Sequence, residues 1–226
     1  MENVELYDAT IQMPFRMCIT GPSQSGKTYF VSQLLENRKK LFSNDISVIY
    51  FFYSIENQSI QELKLLAKNK LINIVFIQGV EDMDPQDYVD PQGKHCLLIF
   101  DDLMQQVMNS PKILEIFTIF SHHSKISVII ISQDFFYNSG SHRNIRMTIN
   151  RNMDYLVLFC NPLDQQTAYI IASRIMPKET KKFMEIYKRA CQIARYLFID
   201  GSITTDNSIR MRTDIFGDCQ RVFVMN

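Results

Sequence analysis

The sequence predicts an α/β fold with a mostly parallel central sheet flanked by helices. Along the chain, β-rich segments alternate with segments of helical periodicity, which favours parallel strands joined by helices. Residues 96–100 are apolar at every position, as expected of a strand that is covered on both faces. The 226 residues are 46% hydrophobic, enough to form one large core, and no linker divides them. We therefore expect one domain that spans residues 1–226.

The first 93 residues are predicted to hold three strands, two helices and a long loop. Phe30, Val31 and Leu34 recur at helical spacing, with charged residues on the other side of the helix. Residues 81–93 contain two prolines and five acidic residues, a composition that continues neither a helix nor a strand. The expected strands are Phe15–Thr20, Ser47–Tyr53 and Asn73–Ile77, and the expected helices are Lys27–Phe42 and a segment near Ile60–Lys70.

The rest of the chain is predicted to continue the alternation. A helix is expected to begin at Ser110 and Pro111 and to bury Ile113 and Phe117 on one face. Two further helical patterns lie near 164–176 and 178–191. The expected strands are Cys96–Phe100, Ile126–Ser132, Tyr155–Cys160, Arg195–Asp200, Ile209–Phe216 and Arg221–Met225.

The charge balance and the apolar segments exclude several classes of protein. Lys and Arg number 24, as do Asp and Glu, so contact with nucleic acid or with a membrane surface would need a local patch. No apolar segment approaches the roughly 20 residues of a membrane span, and the first residues lack the pattern of a secretory signal. We expect an intracellular protein without a membrane partner. Residues 38–40 and 178–195 are the two candidate patches for contact with phosphates.

The cysteines give a further expectation. There are five, an odd number, and none belongs to a Cys-x-x-Cys pair. Three of them lie in apolar, strand-like segments. We therefore expect buried thiols in a reducing compartment. The five are Cys18, Cys96, Cys160, Cys191 and Cys219.

One segment fits the phosphate-binding pattern G-x-x-x-x-G-K-[ST] in full. It lies between a predicted strand and a predicted amphipathic helix, which is the context that a P-loop requires. Glycines permit the tight turn, while backbone N–H groups and the start of the helix would bind phosphate. Lys27 would reach the β- and γ-phosphates, and the Thr28 hydroxyl would bind Mg²⁺. The predicted binding residues are Gly21, Pro22, Ser23, Gln24, Ser25, Gly26, Lys27 and Thr28.

Polar residues at two strand ends are predicted to complete this site. Asp101 and Asp102 follow the apolar strand 96–100, and a carboxylate at that place can reach the metal. We assign Asp101 to Mg²⁺ through its water shell, and Asp102 is the candidate base for the attacking water. Gln133 follows the strand 126–132 and could contact the γ-phosphate or that water. The alternative for Gln133 is an ordinary amide at a strand end.

Other polar residues are more ambiguous. Arg143, Arg146 and Arg151 lie in a polar segment after Gln133, and one of them is a candidate arginine finger that acts on a neighbouring subunit. Solvated loop arginines are the alternative. His122 and His123 are adjacent and would point in different directions on a helix, so we do not expect them to bind a metal.

Six segments carry motifs that extend beyond the general P-loop pattern: 21–28, Leu98–Met104, Ser121–Val128, Ser132–Phe136, Tyr155–Pro162 and Arg210–Phe216. Together and in this order they resemble the genome-packaging ATPases of Polinton/Maverick elements and adintovirus-like DNA viruses. Those proteins belong to the FtsK/HerA superfamily, alongside the poxvirus packaging ATPase. The chain departs from them at Asp134, Cys160 and Leu163, where relatives usually carry asparagine, a basic residue and arginine.

The resemblance implies a P-loop NTPase of the ASCE type that hydrolyses ATP with Mg²⁺. It further implies a homo-oligomeric ring that moves double-stranded DNA into a capsid, with a capsid or portal protein as partner. The host nucleus or the virion assembly site is the implied location, and Lys27, Thr28, Asp101, Asp102 and Gln133 take the roles given above. A nucleotide-gated ring scaffold without hydrolysis and a P-loop kinase stay open as alternatives.

Overall fold

Nine strands run through the part of the chain that the computed structural model describes, which is residues 9–81, 83–136, 149, 151–217 and 220–224. They are β1 (Arg16–Thr20), β2 (Ile46–Tyr53), β3 (Ile74–Gln78), β4 (His95–Asp101), β5 (Ile126–Ser132), β6 (Tyr155–Phe159), β7 (Tyr196–Asp200), β8 (Met211–Thr213) and β9 (Arg221–Val222).

Eight α-helices connect or flank these strands within the described residues. None of them has the length and apolarity that crossing a bilayer requires. They are α1 (Lys27–Glu36), α2 (Arg38–Leu41), α3 (Gln58–Asn69), α4 (Met104–Asn109), α5 (Pro111–Glu115), α6 (Ser121–His123), α7 (Gln165–Ile175) and α8 (Thr180–Ala194).

The strands form one sheet in the order β3-β2-β4-β5-β1-β6-β7-β8-β9. All neighbours from β3 to β6 are parallel, whereas β7, β8 and β9 pair antiparallel. β5 lies between β1 and β4 in this order. The predicted fold class, an α/β P-loop fold with a mostly parallel sheet flanked by helices, is confirmed.

Apolar side chains cover both faces of the sheet. In β4, Leu97 and Ile99 pack in the cluster that includes α1 and α3, whereas Leu98 and Phe100 pack in the cluster that includes α4 and α5. Successive strand residues point to opposite faces, so a strand with helices on both sides must be apolar throughout. This explains why residues 96–100 show no alternation.

The helix predicted over residues 27–42 is broken in two. The Asn37 side chain donates to the Gln33 carbonyl oxygen at 2.9 Å, and the Asn37 backbone N–H donates to the same oxygen at 3.0 Å. Asn37 therefore ends α1, and α2 begins at the next residue.

Two helical features were missed. Residues 104–109 form α4, which buries Met104, Val107 and Met108. The helix that begins at Pro111 widens into a π-helical stretch over Ile116–Phe120 before α6. The spacing of Met104, Val107 and Met108 is helical and was a usable signal for α4. The π-helical stretch does not interrupt the apolar pattern and is not visible in it.

The end of the chain is less regular than predicted. Only Met211–Thr213 of the expected strand 209–216 is extended, because a 3₁₀ turn over Asn207–Ile209 precedes it and a left-handed Asp214 (φ 53°) follows it. The Asp206 carboxylate accepts from the Ser208 N–H at 2.8 Å and holds that turn. The last strand ends at Val222, and Met225 lies outside the described residues.

Candidate functional site

The loop between β1 and α1 has the backbone of a phosphate cradle. Gln24 (φ 61°) and Gly26 (φ 100°) are left-handed, a feature of loops that turn successive N–H groups toward an anion. A Cβ on Gly26 would meet only Phe159 Cε1 at 3.8 Å, so the backbone dihedral rather than space requires glycine there. A Cβ on Gly21 would clash with Phe159 Cβ. Glycine at position 21 thus allows β6 to approach the loop.

Lys27 begins α1 and its side chain turns back into the loop. The side chain is buried, and Nζ donates to the carbonyl oxygens of Gly21 and Pro22, both at 2.8 Å. Burial lowers the pKa of Lys27, while the carboxylates of Asp102 and Asp101 act in the opposite direction. The ammonium group is therefore held inside the loop and within the field of the acidic pair.

The acidic pair lies at the carboxyl end of β4. Asp101 is buried, and burial, reinforced by the Asp102 charge, raises its pKa to about 7 against the opposing effect of Lys27. Asp102 is exposed and has a left-handed backbone (φ 54°), and its N–H donates to the Ile131 carbonyl oxygen at 3.3 Å. A left-handed backbone is uncommon for a residue other than glycine, although aspartate adopts it more often than most.

Gln133 is held next to Asp102 by the turn that follows β5. Gln133 Nε2 donates to Asp102 Oδ2 at 3.2 Å. The Ser132 hydroxyl donates to the Asp134 carbonyl oxygen at 2.8 Å, and the Asp134 carboxylate accepts from the Phe136 N–H at 2.7 Å. These bonds fix the backbone on both sides of Gln133. An amide and a carboxylate from neighbouring strands are therefore already in contact.

A cleft of about 510 Å³ brings most of the predicted residues together. Gly21, Pro22 and Ser25 border adjoining cavities instead. β1, β4 and β5 are neighbouring parallel strands, so their carboxyl ends meet at one edge of the sheet. The predicted residues that line the cleft are Ser23, Gln24, Gly26, Lys27, Thr28, Asp101, Asp102 and Gln133.

The groups present fit a triphosphate with Mg²⁺. Ser25 Oγ is buried in the loop and has no hydrogen-bond partner among the described residues, so a donor is available to a phosphate oxygen. The Thr28 hydroxyl and the Asp101 carboxylate line the same cleft, and both are the hard oxygen ligands that Mg²⁺ prefers. The buried Lys27 ammonium supplies positive charge beside them.

Sequence reasoning missed one wall of the cleft. Tyr29, Asn57, Gln58 and Ser59 also line it. Asn57 caps α3, because its side chain accepts from the Ile60 N–H at 3.1 Å. An asparagine directly before a helical pattern was a usable signal for a helix start. The strand that precedes it, β2, lies beside β4 in the sheet, which brings Asn57 to the cleft.

Among the predicted arginines, the described part of the chain places Arg151 away from the cleft. Arg143 and Arg146 lie outside the described residues. Arg151 is exposed and precedes the amino end of β6, whereas the cleft lies at the carboxyl ends of the strands. In the described part of the chain, no group of three or more His, Cys, Asp or Glu side chains is arranged to bind a metal ion. The side chain of His122 is not described.

The prediction of buried thiols is wrong for two of the cysteines. Cys160 and Cys191 form a disulfide with their Cα atoms 5.6 Å apart. Cys160 follows β6 and Cys191 lies in α8, and both border a cavity of about 620 Å³ together with Pro22 and Ser25. The pairing depends on the packing of α8 against the sheet, which the spacing along the chain does not reveal. Cys18 and Cys96 are buried free thiols, and Cys219 lies outside the described residues.

Reduction of this disulfide is expected to lower the free energy of unfolding by about 3–4 kcal/mol. The bond closes a loop of 31 residues, and chain entropy in the unfolded state gives a contribution of this size. Chemical denaturation with and without a reductant measures the effect. The double variant C160S/C191S is the control, because its stability should not respond to reductant. An equal response in both proteins would assign the effect to another part of the molecule.

Comparison with known proteins shows which family the chain is part of. The family described as Poxvirus A32 protein matches residues 4–222. The chain belongs to this family. It is 25% identical over 139 residues to the DNA packaging protein OPG160 of Variola virus, covering 58% of this chain and 50% of that protein. The protein of the same name from Vaccinia virus (strain Copenhagen) is 25% identical over 134 residues, covering 55% and 48%. The chain spans about half the length of these curated relatives.

Solved structures show a weaker likeness. The genome packaging NTPase B204 from Sulfolobus turreted icosahedral virus 2, solved in complex with ATP-gammaS, has a TM-score of 0.46 and 14% identity. The match covers 85% of this chain and 94% of that chain. The sequence motifs implied a relationship to the poxvirus packaging ATPase. The match to the Poxvirus A32 family confirms that relationship. The finer Polinton/Maverick or adintovirus-like type stays a prediction.

Proposed function

We propose that this protein is an ATP-hydrolysing motor that moves double-stranded DNA into a viral capsid. The observation that carries the proposal is the cleft in which Lys27 and Thr28 face Asp101, Asp102 and Gln133. The family adds the process, because relatives of this chain are named DNA packaging proteins. A single domain over residues 1–226 and membership of the FtsK/HerA superfamily are parts of the same proposal.

The loop and Lys27 would bind the triphosphate of ATP. The N–H groups of the loop and the start of α1 are suited to phosphate oxygens, and the Ser25 hydroxyl adds a donor. On nucleotide binding, Lys27 would exchange the carbonyl oxygens of Gly21 and Pro22 for the β- and γ-phosphates. Thr28 and Asp101 would hold Mg²⁺. The ion, when bound, neutralises charge on the phosphates.

Asp102 and Gln133 would handle the attacking water. The Asp102 carboxylate is exposed in the cleft and can accept a proton from a water molecule. Gln133 contacts that carboxylate now and could orient the same water or sense the γ-phosphate. A shift of Gln133 away from Asp102 would then report hydrolysis to the turn after β5. Asp102 is thus the proposed base and Gln133 a positioning residue.

A ring of identical subunits completes the proposed motor. Arg143 or Arg146 would stabilise the transition state in the neighbouring subunit, an effect worth about 10³–10⁵ in rate where such arginines act. The partners would be double-stranded DNA and a capsid or portal protein, and the place of action would be the site of virion assembly.

Purified protein is expected to hydrolyse ATP only with Mg²⁺ and faster with duplex DNA. The measurement is phosphate release at several protein concentrations, since a ring forms only above its assembly threshold. The stimulation by DNA should fall as salt rises, because salt competes for the phosphate contacts. EDTA is the control for the metal.

Other outcomes would select other functions. ATP binding without turnover, at concentrations at which the protein assembles, would favour a nucleotide-gated scaffold. Phosphoryl transfer to an added nucleoside monophosphate would favour a kinase. Turnover that duplex DNA does not alter would contradict the motor while leaving the nucleotide site intact.

A further inference from the structure

The longest helix of the described chain, α8, presents a basic surface to solvent. Its buried side consists of Phe183, Ile186, Tyr187 and Ala190. The opposite side is exposed and carries three cations spaced at i, i+7 and i+8, so that they lie on one face of the helix. We call this the α8 basic face: Lys181, Lys188 and Arg189.

Positive charge is concentrated around this helix. Residues 178–195 contain six Lys or Arg and two Glu, a net charge of +4 at neutral pH. The whole chain has 24 residues of each sign, so the rest of it carries a net charge of −4. Glu185 lies on the same side of α8, and the described ion pairs do not include it. The local excess of charge therefore favours a polyanion at this place.

Contacts distinguish this face from the competing patch at residues 38–40. Arg38 donates to the Leu35 carbonyl oxygen at 3.0 Å, and Lys40 donates to the Gly217 carbonyl oxygen at 3.4 Å. In contrast, the described contacts give the side chains of Lys181, Lys188 and Arg189 no hydrogen bond or ion pair. The α8 basic face thus has cations available for a partner, whereas two members of the other patch are engaged.

We propose that the α8 basic face binds the phosphate backbone of double-stranded DNA. The proposal rests on the function proposed above and deepens it. Lys181 and Lys188 are separated by a rise of about 10.5 Å along the helix, which is close to three base-pair steps of about 3.4 Å. Such contacts are electrostatic and independent of base sequence, as packaging of a whole genome requires.

The same helix is attached to the end of β6, which contacts the nucleotide loop. The Tyr187 hydroxyl donates to the Phe159 carbonyl oxygen at 3.2 Å and accepts from the Asn161 N–H at 3.1 Å. Cys191 is bonded to Cys160, and the Phe159 side chain lies against Gly21. DNA bound to the exposed side of α8 would therefore act on a helix that is bonded to the end of β6, which contacts the P-loop. This arrangement provides a physical route for DNA to stimulate turnover.

The test is the double variant K181E/R189E. Lys188 is left unchanged because it also borders the cavity next to Pro22 and Ser25. Fluorescence anisotropy at several salt concentrations measures binding to a duplex of random sequence. The affinity of this variant should be about 10- to 100-fold lower at 0.15 M salt. The slope of log K against log salt should lose about 2 units. ATP turnover without DNA should match that of the unaltered chain, while the stimulation by DNA should fall.

Two matched variants serve as controls. K68E/K112E reverses two exposed lysines on α3 and α5 and should leave the salt slope unchanged. K39E/K40E reverses the competing patch, and a larger loss there than in K181E/R189E would overturn the proposal. If K181E/R189E does not fold, K181Q/R189Q removes the same contacts with a smaller change, and its slope should fall by the same amount.

The outcomes separate this proposal from the one on which it rests. If the unaltered protein does not bind duplex DNA, the motor function itself fails. If it binds DNA and K181E/R189E keeps its salt slope, only the assignment to α8 fails. Binding of anionic vesicles that is lost in the variant while DNA binding persists would assign the face to a membrane surface and overturn the proposal.

Discussion

Replacement of Lys27 with alanine is expected to reduce ATP turnover by at least about 10²–10³-fold, which is the cost of removing one donor that stabilises developing charge. Lys27 Nζ is fixed 2.8 Å from two loop carbonyl oxygens, and the carboxylates of Asp102 and Asp101 favour its charged form. Without it, the γ-phosphate would face Asp101 and Asp102 with no side-chain cation of the P-loop beside them. Steady-state phosphate release measures the effect. Turnover within tenfold of the unaltered protein would contradict the role.

Two controls give this prediction its meaning. Lys40→Ala removes an exposed lysine of α2 whose side chain, among the described contacts, bonds to the Gly217 carbonyl oxygen, so its turnover should stay near that of the unaltered protein. Thermal melting of Lys27→Ala without nucleotide should be close to that of the unaltered protein, because the lost bonds are to loop oxygens rather than to the core. A large drop in melting temperature would show that the loss of activity results from unfolding rather than from the missing side chain in the site.

The part of the site that follows strand ends could be predicted from the sequence. The apolar runs before Gly21, Asp101 and Gln133 are all parallel strands, and parallel neighbours place their carboxyl ends at one edge. The pattern of apolar strands followed by polar residues therefore predicted that the P-loop, the acidic pair and Gln133 would lie together. The Lys27 position followed from the P-loop pattern alone.

The features that were missed depend on contacts between distant parts of the chain. Cys160 and Cys191 meet because α8 packs against β7, which is the neighbour of β6 in the sheet. Asn57 reaches the cleft because β2 pairs with β4. The Asp102 N–H likewise donates to the Ile131 carbonyl oxygen of the neighbouring strand, a contact between distant residues. Residue pattern describes one segment at a time, so it predicts elements better than it predicts which elements touch.

Replacement of Asp200 with asparagine is expected to lower the free energy of unfolding by about 3–5 kcal/mol, the usual cost of breaking a buried ion pair from one side. Asp200 Oδ2 accepts from Arg212 Nη2 at 2.7 Å, and both side chains are at most 5% exposed. The Arg212 guanidinium also lies 4.9 Å from the centre of the Phe198 ring. The carboxylate is thus the counter-ion of a cation that is packed into the β7–β8 pair and has little access to water.

Asp214→Asn is the matched control for this effect, since it removes an ion pair from the same end of the chain. The Asp214–Arg221 distance is 3.7 Å, and the two side chains are 43% and 60% exposed, so its loss should cost no more than about 1 kcal/mol. Urea denaturation of both variants gives the comparison. Replacing Asp200 and Arg212 together with leucine and methionine should recover part of the loss, because the buried charge that this carboxylate balances would then be removed as well. Equal stabilities for Asp200→Asn and Asp214→Asn would show that burial does not strengthen the Asp200–Arg212 pair.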